Sequence, residues 1–236
     1  MKAVFLSFVM LSGALWASDQ KSPSIVDSGQ LLVVVNGQKV ATENFTMQQG
    51  SDGSSVTSRL NFDNGTTKAQ QESELELTAE GGIRKYTWEE KQPGKAKLMA
   101  EPQDKTFLVV HMKDTDTATP KDSTHPVDVS VTNIVDDNFY SHVQVLLWRY
   151  LAMSCNTTQQ CRFEEQKVPV FVPHQESAQT FTISFEGTDT LRLKNGKTEV
   201  GKYRVQTEGG EMHVWMQGTK LVKLLMPSAA VEVTRE

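Results

Sequence analysis

Short runs of alternating or β-branched residues, separated by dipeptides that suit tight turns, limit what this chain folds into. Leu31 to Val35 is a continuous apolar run broken by Asn36-Gly37. A two-residue hairpin turn of that kind needs φ > 0 at both central residues, which Asn-Gly tolerates well. Asp63-Asn64-Gly65 and Asn195-Gly196 repeat the signal. Gly50-Ser51-Asp52-Gly53, Gly81-Gly82, Pro93-Gly94, Gly209-Gly210 and Gly218 supply further turns. Between turns the residues alternate, as in Ala41, Phe45 and Met47, in Leu75 and Leu77, and in Phe181, Ile183 and Phe185. The chain ends with Val231 and Val233 alternating against Glu232 and Thr234. A period of two marks strands with one wet face, and strands joined by tight turns form antiparallel meanders.

One segment breaks this period. In Val135 to Ser154, Phe139, Val143, Leu146, Leu147, Tyr150 and Leu151 recur at three- and four-residue spacing. That spacing predicts an amphipathic helix over Asp137 to Met153. Asp136 or Asp137 offers its N-cap, and His142, Gln144 and Arg149 fall off the stripe. A lone amphipathic helix must bury its stripe on the sheet. The expected fold is mainly β (α+β), a large curved antiparallel sheet or open barrel around one helix. Ser18 to Ser28 reads as a polar leader. Lys113 to His125 reads as a Thr-, Asp- and Pro-rich loop. A division into two smaller β domains would fall near residues 113–124. Val168 to Val172, with Pro169 and Pro173, belongs at a sheet edge.

Residues 1–17 have the layout of a cleaved signal peptide: Lys2, the apolar run Ala3 to Leu11, then small-residue exits ending at Ala14 and Ala17. The apolar run is too short to span a bilayer. The expected organisation is a signal peptide over 1–17 and one β-rich domain over 18–236, exported to a periplasm or secreted and not membrane-spanning. The formal net charge is -5, with no basic block, which argues against a nucleic-acid partner. In an exported chain the two cysteines, Cys155 and Cys161, are expected to form one local disulfide. Neither belongs to a CxxC pair. Asn44, Asn64 and Asn156 head Asn-x-Thr sites, which matter only in a host that glycosylates.

Near the C-terminus, Thr198 to Gln206, Met212-His213-Val214-Trp215-Met216, Gly218 to Lys223 and Val231-Glu232-Val233 form a paired-strand ending. This ending resembles that of exported bacterial proteins grouped only as a domain of unknown function. More distantly, it is similar to the open β-barrel of periplasmic lipoprotein carriers. Asn138 to Tyr150 resembles the helix of the first group. The resemblance runs from Val127 to the C-terminus. It implies an exported β-rich scaffold and brings no catalytic residues with it. The carriers' lipid binding transfers only as a fold analogy.

Local motifs for chemistry are few. Ile25-Val26-Asp27-Ser28-Gly29 has the form an aspartic protease presents, but the chain holds no second Asp-Thr/Ser-Gly, and such catalysis needs two carboxylates. A turn before the first strand is the plainer reading. His111, His125, His142, His174 and His213 make no HxH or HExxH pattern, so no zinc site is written locally. His142 is the one to watch, expected to join Tyr140 and Arg149 at one end of the helix. Gly-x-Ser-x-Gly is absent. Asp114-Thr115-Asp116 lacks the glycine and distal carboxylate of a calcium loop and reads as a solvated acidic loop. Trp88, Trp148, Trp215, Met212, Met216 and Met226 either line an apolar cleft or fill the core. No catalytic residue, metal ligand or cofactor is assigned, and the ligand-binding residues are unknown. The expected function is a non-enzymatic exported protein that binds a lipid or other apolar or amphipathic ligand, or an envelope protein, on a curved β surface. The alternatives are a hydrolase using His142 or His213 with nearby carboxylates, and a structural module of an envelope assembly. A histidine and a carboxylate facing one cleft would favour the hydrolase.

Overall fold

The computed structural model describes residues 23–155, 160–193 and 196–236. The expected signal peptide, residues 18–22 of the leader, Asn156 and Asn195 lie outside them. Eight strands follow one another as an antiparallel meander: β1 (Ser24–Val35), β2 (Gln38–Gln49), β3 (Gly53–Asp63), β4 (Lys68–Thr78), β5 (Ile83–Gln92), β6 (Lys97–Pro102), β7 (Phe107–Lys113) and β8 (Lys121–Pro126). The two-residue β9 (Asn133–Ile134) and helix α1 (Ser141–Ser154) come next. A second meander runs through β10 (Gln166–Val172), β11 (Ser177–Leu193), β12 (Gly196–Thr207), β13 (Gly210–Gln217), β14 (Lys220–Met226) and β15 (Val231–Arg235). The two meanders join because β1 pairs with β15, placing Val33 opposite Val233. The result is one 15-stranded sheet that starts at β8 and ends at β9. Every pairing is antiparallel except β9 with β10.

Local sequence chemistry accounts for much of this. Asn36 and Gly37 take φ of 51° and 78°, as the β1–β2 hairpin requires. Alternation puts Leu31, Val33, Ala41, Phe45, Met47, Val56, Leu60 and Leu75 into the core. The same core continues through Val168, Phe181, Val205, Val214 and Leu224 and takes in Val143, Leu146, Leu147 and Tyr150 of α1. The sheet is therefore an open barrel whose filling is the helix. Register shifts at Ile25/Asp27, Phe185/Gly187 and Trp215/Met216 add the local bend that such curvature needs. The margins do not close by a ladder. Side chains bridge them instead: Ser123 of β8 donates to Glu176, and the His125 and Phe171 rings lie 5.1 Å apart.

Several expectations are corrected. The first strand begins at Ser24, inside the expected leader, because Asp27 is held by Arg235 and Gln144. Lys121–Pro126 of the expected loop is a strand, paired with β7. The runs around Phe181–Phe185 and Leu191–Leu193 are one strand with a bulge. The helix starts at Ser141, and its N-terminus has no side-chain cap from Asp136 or Asp137. It is also enclosed on more than one face, since His142 and Gln144 are fully buried.

Candidate functional site

The chain enters α1 through Val135 to Tyr140, a segment fixed by buried polar contacts. Asp136 is 2% exposed. Its Oδ1 accepts the Asn138 N–H at 2.8 Å, and its Oδ2 accepts the Tyr86 hydroxyl of β5. His174 Nδ1 lies 2.8 Å from the same Oδ2, at ion-pair distance but off the line a hydrogen bond needs. Burial pushes the Asp136 carboxyl up, but His174 and Tyr86 outweigh it and hold it below the usual carboxylate range. In return, Asp136 raises His174 against the opposing effect of burial. Burial also pushes the Tyr86 phenol up, so it remains a donor.

His142, in the first turn of α1, accepts the Asp136 N–H on Nδ1 at 3.2 Å. Its proton is thereby placed on Nε2, which has no hydrogen-bond partner. Burial lowers this imidazole to about 4, so it is neutral at ordinary pH. The helix terminus is met from β2 by Glu43, which is fully buried. Glu43 accepts the N–H groups of Tyr140 at 2.8 Å and Ser141 at 3.2 Å, and the Ser58 hydroxyl at 3.0 Å. Its carboxyl faces the end of the helix where unpaired N–H groups point, while burial pushes it above the usual carboxylate range.

Beside this segment opens a cleft of about 500 Å³. Val135, Phe139 and Val143 form one side, and Phe181, Met212 and Met226 the other. Asp137, Gln175, Gln179, Glu208, Glu211 and Ser228 surround the apolar floor with polar groups. The Gly209-Gly210 turn borders it as well. An apolar floor with a few polar fixers is the make-up of a small-molecule site. Asp136, Asp137 and His174 also present ligand atoms within 4.8 Å of one another, a carboxylate and imidazole set that suits a divalent transition metal. Asp136 enters that set with both oxygens already engaged.

The residues singled out from sequence scatter around this site. Met212 and Met226 line the cleft. Met216 is core, and Trp215 packs with Val200 and Val222 in a separate small cluster. Trp148 donates to the Thr219 carbonyl, and the Trp88 ring stands edge-on to His174 at 4.5 Å. His142 meets Tyr86 and Asp136, while Arg149 binds the carbonyls of Gly81 and Ser130. His213 sits with Glu211 and Glu186, and His111 with Asp122 and Glu101. Asp27 lies within β1 rather than in a turn and forms an ion pair with Arg235. Cys155 and Cys161 lie at disulfide distance, 2.07 Å between sulfurs. Sequence reading missed Tyr86, Glu43, Ser58 and the pairing of Asp136 with His174. Only Glu43, a lone acid at a core-facing position of β2, leaves a trace in the sequence.

No family model and no curated protein matches the sequence. Among solved structures, the chain is similar to the crystal structure of a β-barrel-like protein of the domain of unknown function DUF1849 from Brucella abortus. The likeness covers 90% of this chain and 97% of that one, with a TM-score of 0.55 and 7% identity. The fold is β-barrel-like. At that identity the likeness concerns architecture alone, and the barrel-like fold leaves the cleft and the Asp136 cluster to be read from their own chemistry. No helix among the described residues is long and apolar enough to cross a membrane.

Proposed function

We propose that this is an exported, non-enzymatic binding protein that holds an amphipathic ligand in the cleft beside the start of α1. The observation that carries the reading is the joining of apolar side chains from α1, its entry segment and four strands around one cavity with a polar rim. The signal-peptide layout and the cysteine pair at disulfide distance fit export. The rigid entry segment supports the role, since a preorganised wall lowers the ordering cost of binding. Protein isolated without denaturant and extracted with organic solvent should release an amphipathic molecule, identified by mass spectrometry. Phe181→Arg, which puts a charge into the floor, should release far less. A clean extract, together with no uptake of a neutral lipophilic dye by the folded protein, would count against the reading.

One observation favours a second reading, hydrolysis. Asp136 lines the cleft, and His174, though outside the lining, lies 2.8 Å from its carboxylate, so a histidine reaches one of the cleft's carboxyl groups. Esterase and glycosidase screens with the parent and His174→Ala test it. Turnover lost in the variant supports it, and no turnover by the parent removes it.

A further inference from the structure

We infer that the ligand of the cleft is a cationic amphiphile, an apolar chain bearing an amine or guanidine head. This rests on reading the cleft as a binding site. Carboxylates line it from two directions: Asp137 from the segment entering α1, and Glu208 and Glu211 from the β12–β13 turn and the strand that follows. No lysine, arginine or histidine stands among the lining residues. Glu211 is met by His213 at 2.9 Å and by Arg204 at 4.0 Å. Asp137 accepts one hydrogen bond, from Gln175 Nε2 at 3.2 Å. Asp137 and Glu208 are both exposed at the mouth, and no lysine or arginine pairs with either among the described residues; the His174 imidazole, within 4.8 Å of Asp137, is the basic group beside that carboxylate.

A chain seated on Phe139, Phe181, Met212 and Met226 would bring its polar end to these carboxylates. A fatty-acid or phosphate head would bring a second negative charge against them. An ammonium head would find opposite charge and open acceptors. Because the carboxylates are exposed, the discrimination should weaken as salt shortens the range of their field.

The test uses the full chain loaded with the neutral dye N-phenyl-1-naphthylamine. The dye is displaced at low salt and below micelle-forming concentrations by dodecylammonium, dodecanol and dodecanoate, which share one tail. Dodecylammonium should displace it at concentrations about tenfold or more below those dodecanoate needs, the size of effect a head-group charge contact gives. In Asp137→Asn/Glu208→Gln that ratio should fall toward one, and added salt should lower it in the parent. Dodecanoate acting as well as dodecylammonium, or a ratio that survives in the double variant, overturns the charge assignment while the dye-filled cleft stands. A protein that takes up no dye overturns both.

Discussion

The Glu43 carboxylate on β2 accepts the backbone N–H of Ser141, 98 residues further along the chain, and so caps the central helix from the sheet. Tyr140 gives its N–H to the same carboxylate, and Ser58 and Ser141 share a hydrogen bond of 2.8 Å beside it. Burial pushes the Glu43 carboxyl up, and the bonds from Ser141, Ser58 and the two N–H groups only partly reverse this. Glu43→Ala would leave those donors unpaired in the core. A loss of about 3 kcal/mol or more is expected, since each buried orphan costs about 1–3 kcal/mol. Urea unfolding checks it through the midpoint. An unshifted midpoint would mean that the cap contributes nothing.

Leu147 is fully buried on α1, against the sheet. Leu147→Asp should unfold the protein, because lost apolar burial and an unpaired buried carboxylate together cost several kcal/mol, roughly a third or more of a typical 5–15 kcal/mol stability. Cys155 and Cys161 are only six residues apart. Cys155→Ser should cost much less, roughly 2 kcal/mol from the loop-closure formula. Thermal melts of the two variants decide the order.

Gln144 ties the helix to the junction of the two meanders. Its amide donates to Asp27 Oδ2 at 2.7 Å, and its carbonyl accepts the Leu221 N–H at 3.1 Å. Asp27 also takes both Arg235 Nη groups, at 2.9 and 2.7 Å. Burial pushes the Asp27 carboxyl up, and Arg235 and Gln144 bring it below its ordinary value of 3.8. A depressed carboxyl contributes stability above the unfolded pKa and loses it as pH falls through the folded one. Gln144→Leu should cost about 2 kcal/mol by leaving the Leu221 N–H unpaired. It should also shrink the loss of stability below pH 3.8, as measured by denaturant titration over pH.

His142 gives a handle of the same sign at higher pH. Its ordinary pKa of 6.5 falls to about 4 in the fold. The neutral ring therefore contributes fully above pH 6.5, and that contribution is lost as pH falls toward 4. The loss is at most about 3 kcal/mol at 1.36 kcal/mol per pH unit. His174 runs the other way, since Asp136 raises it. Its contribution is present below 6.5 and is lost as pH rises through the folded value. His142→Asn keeps an acceptor for the Asp136 N–H and removes the titration. Melting temperatures at pH 7 and pH 5 should converge in the variant relative to the parent. A parallel decline in both would remove His142 as the cause.

Tight-turn dipeptides and period-two runs made the meanders legible, because hairpin pairing is a short-range property. The helix was legible from the stripe of Val143, Leu146, Leu147 and Tyr150. Its start was not, because its cap is Glu43, whose identity as a cap depends on long-range packing. Lys121–Pro126 reads as loop because it joins β7 through backbone pairing and a polar His111–Asp122 contact, while its side chains are mostly exposed and carry no apolar alternation. The site follows the same division. Met212 and Met226 stood out as apolar residues by type. The Tyr86–Asp136 contact spans 50 residues. No local spacing encodes it, and only closure of the sheet around the helix brings the two together.

The central claim is that the cleft beside the start of α1 is the binding surface. A titration of isotope-labelled protein with dodecylammonium, followed through backbone amide signals, tests it most directly. Shifts that saturate and centre on Phe139, Tyr140, Phe181, Gly209 and Met212 are the predicted result. Saturating shifts centred instead on the Trp215–Val222 face, or no saturating shifts at all, would contradict it.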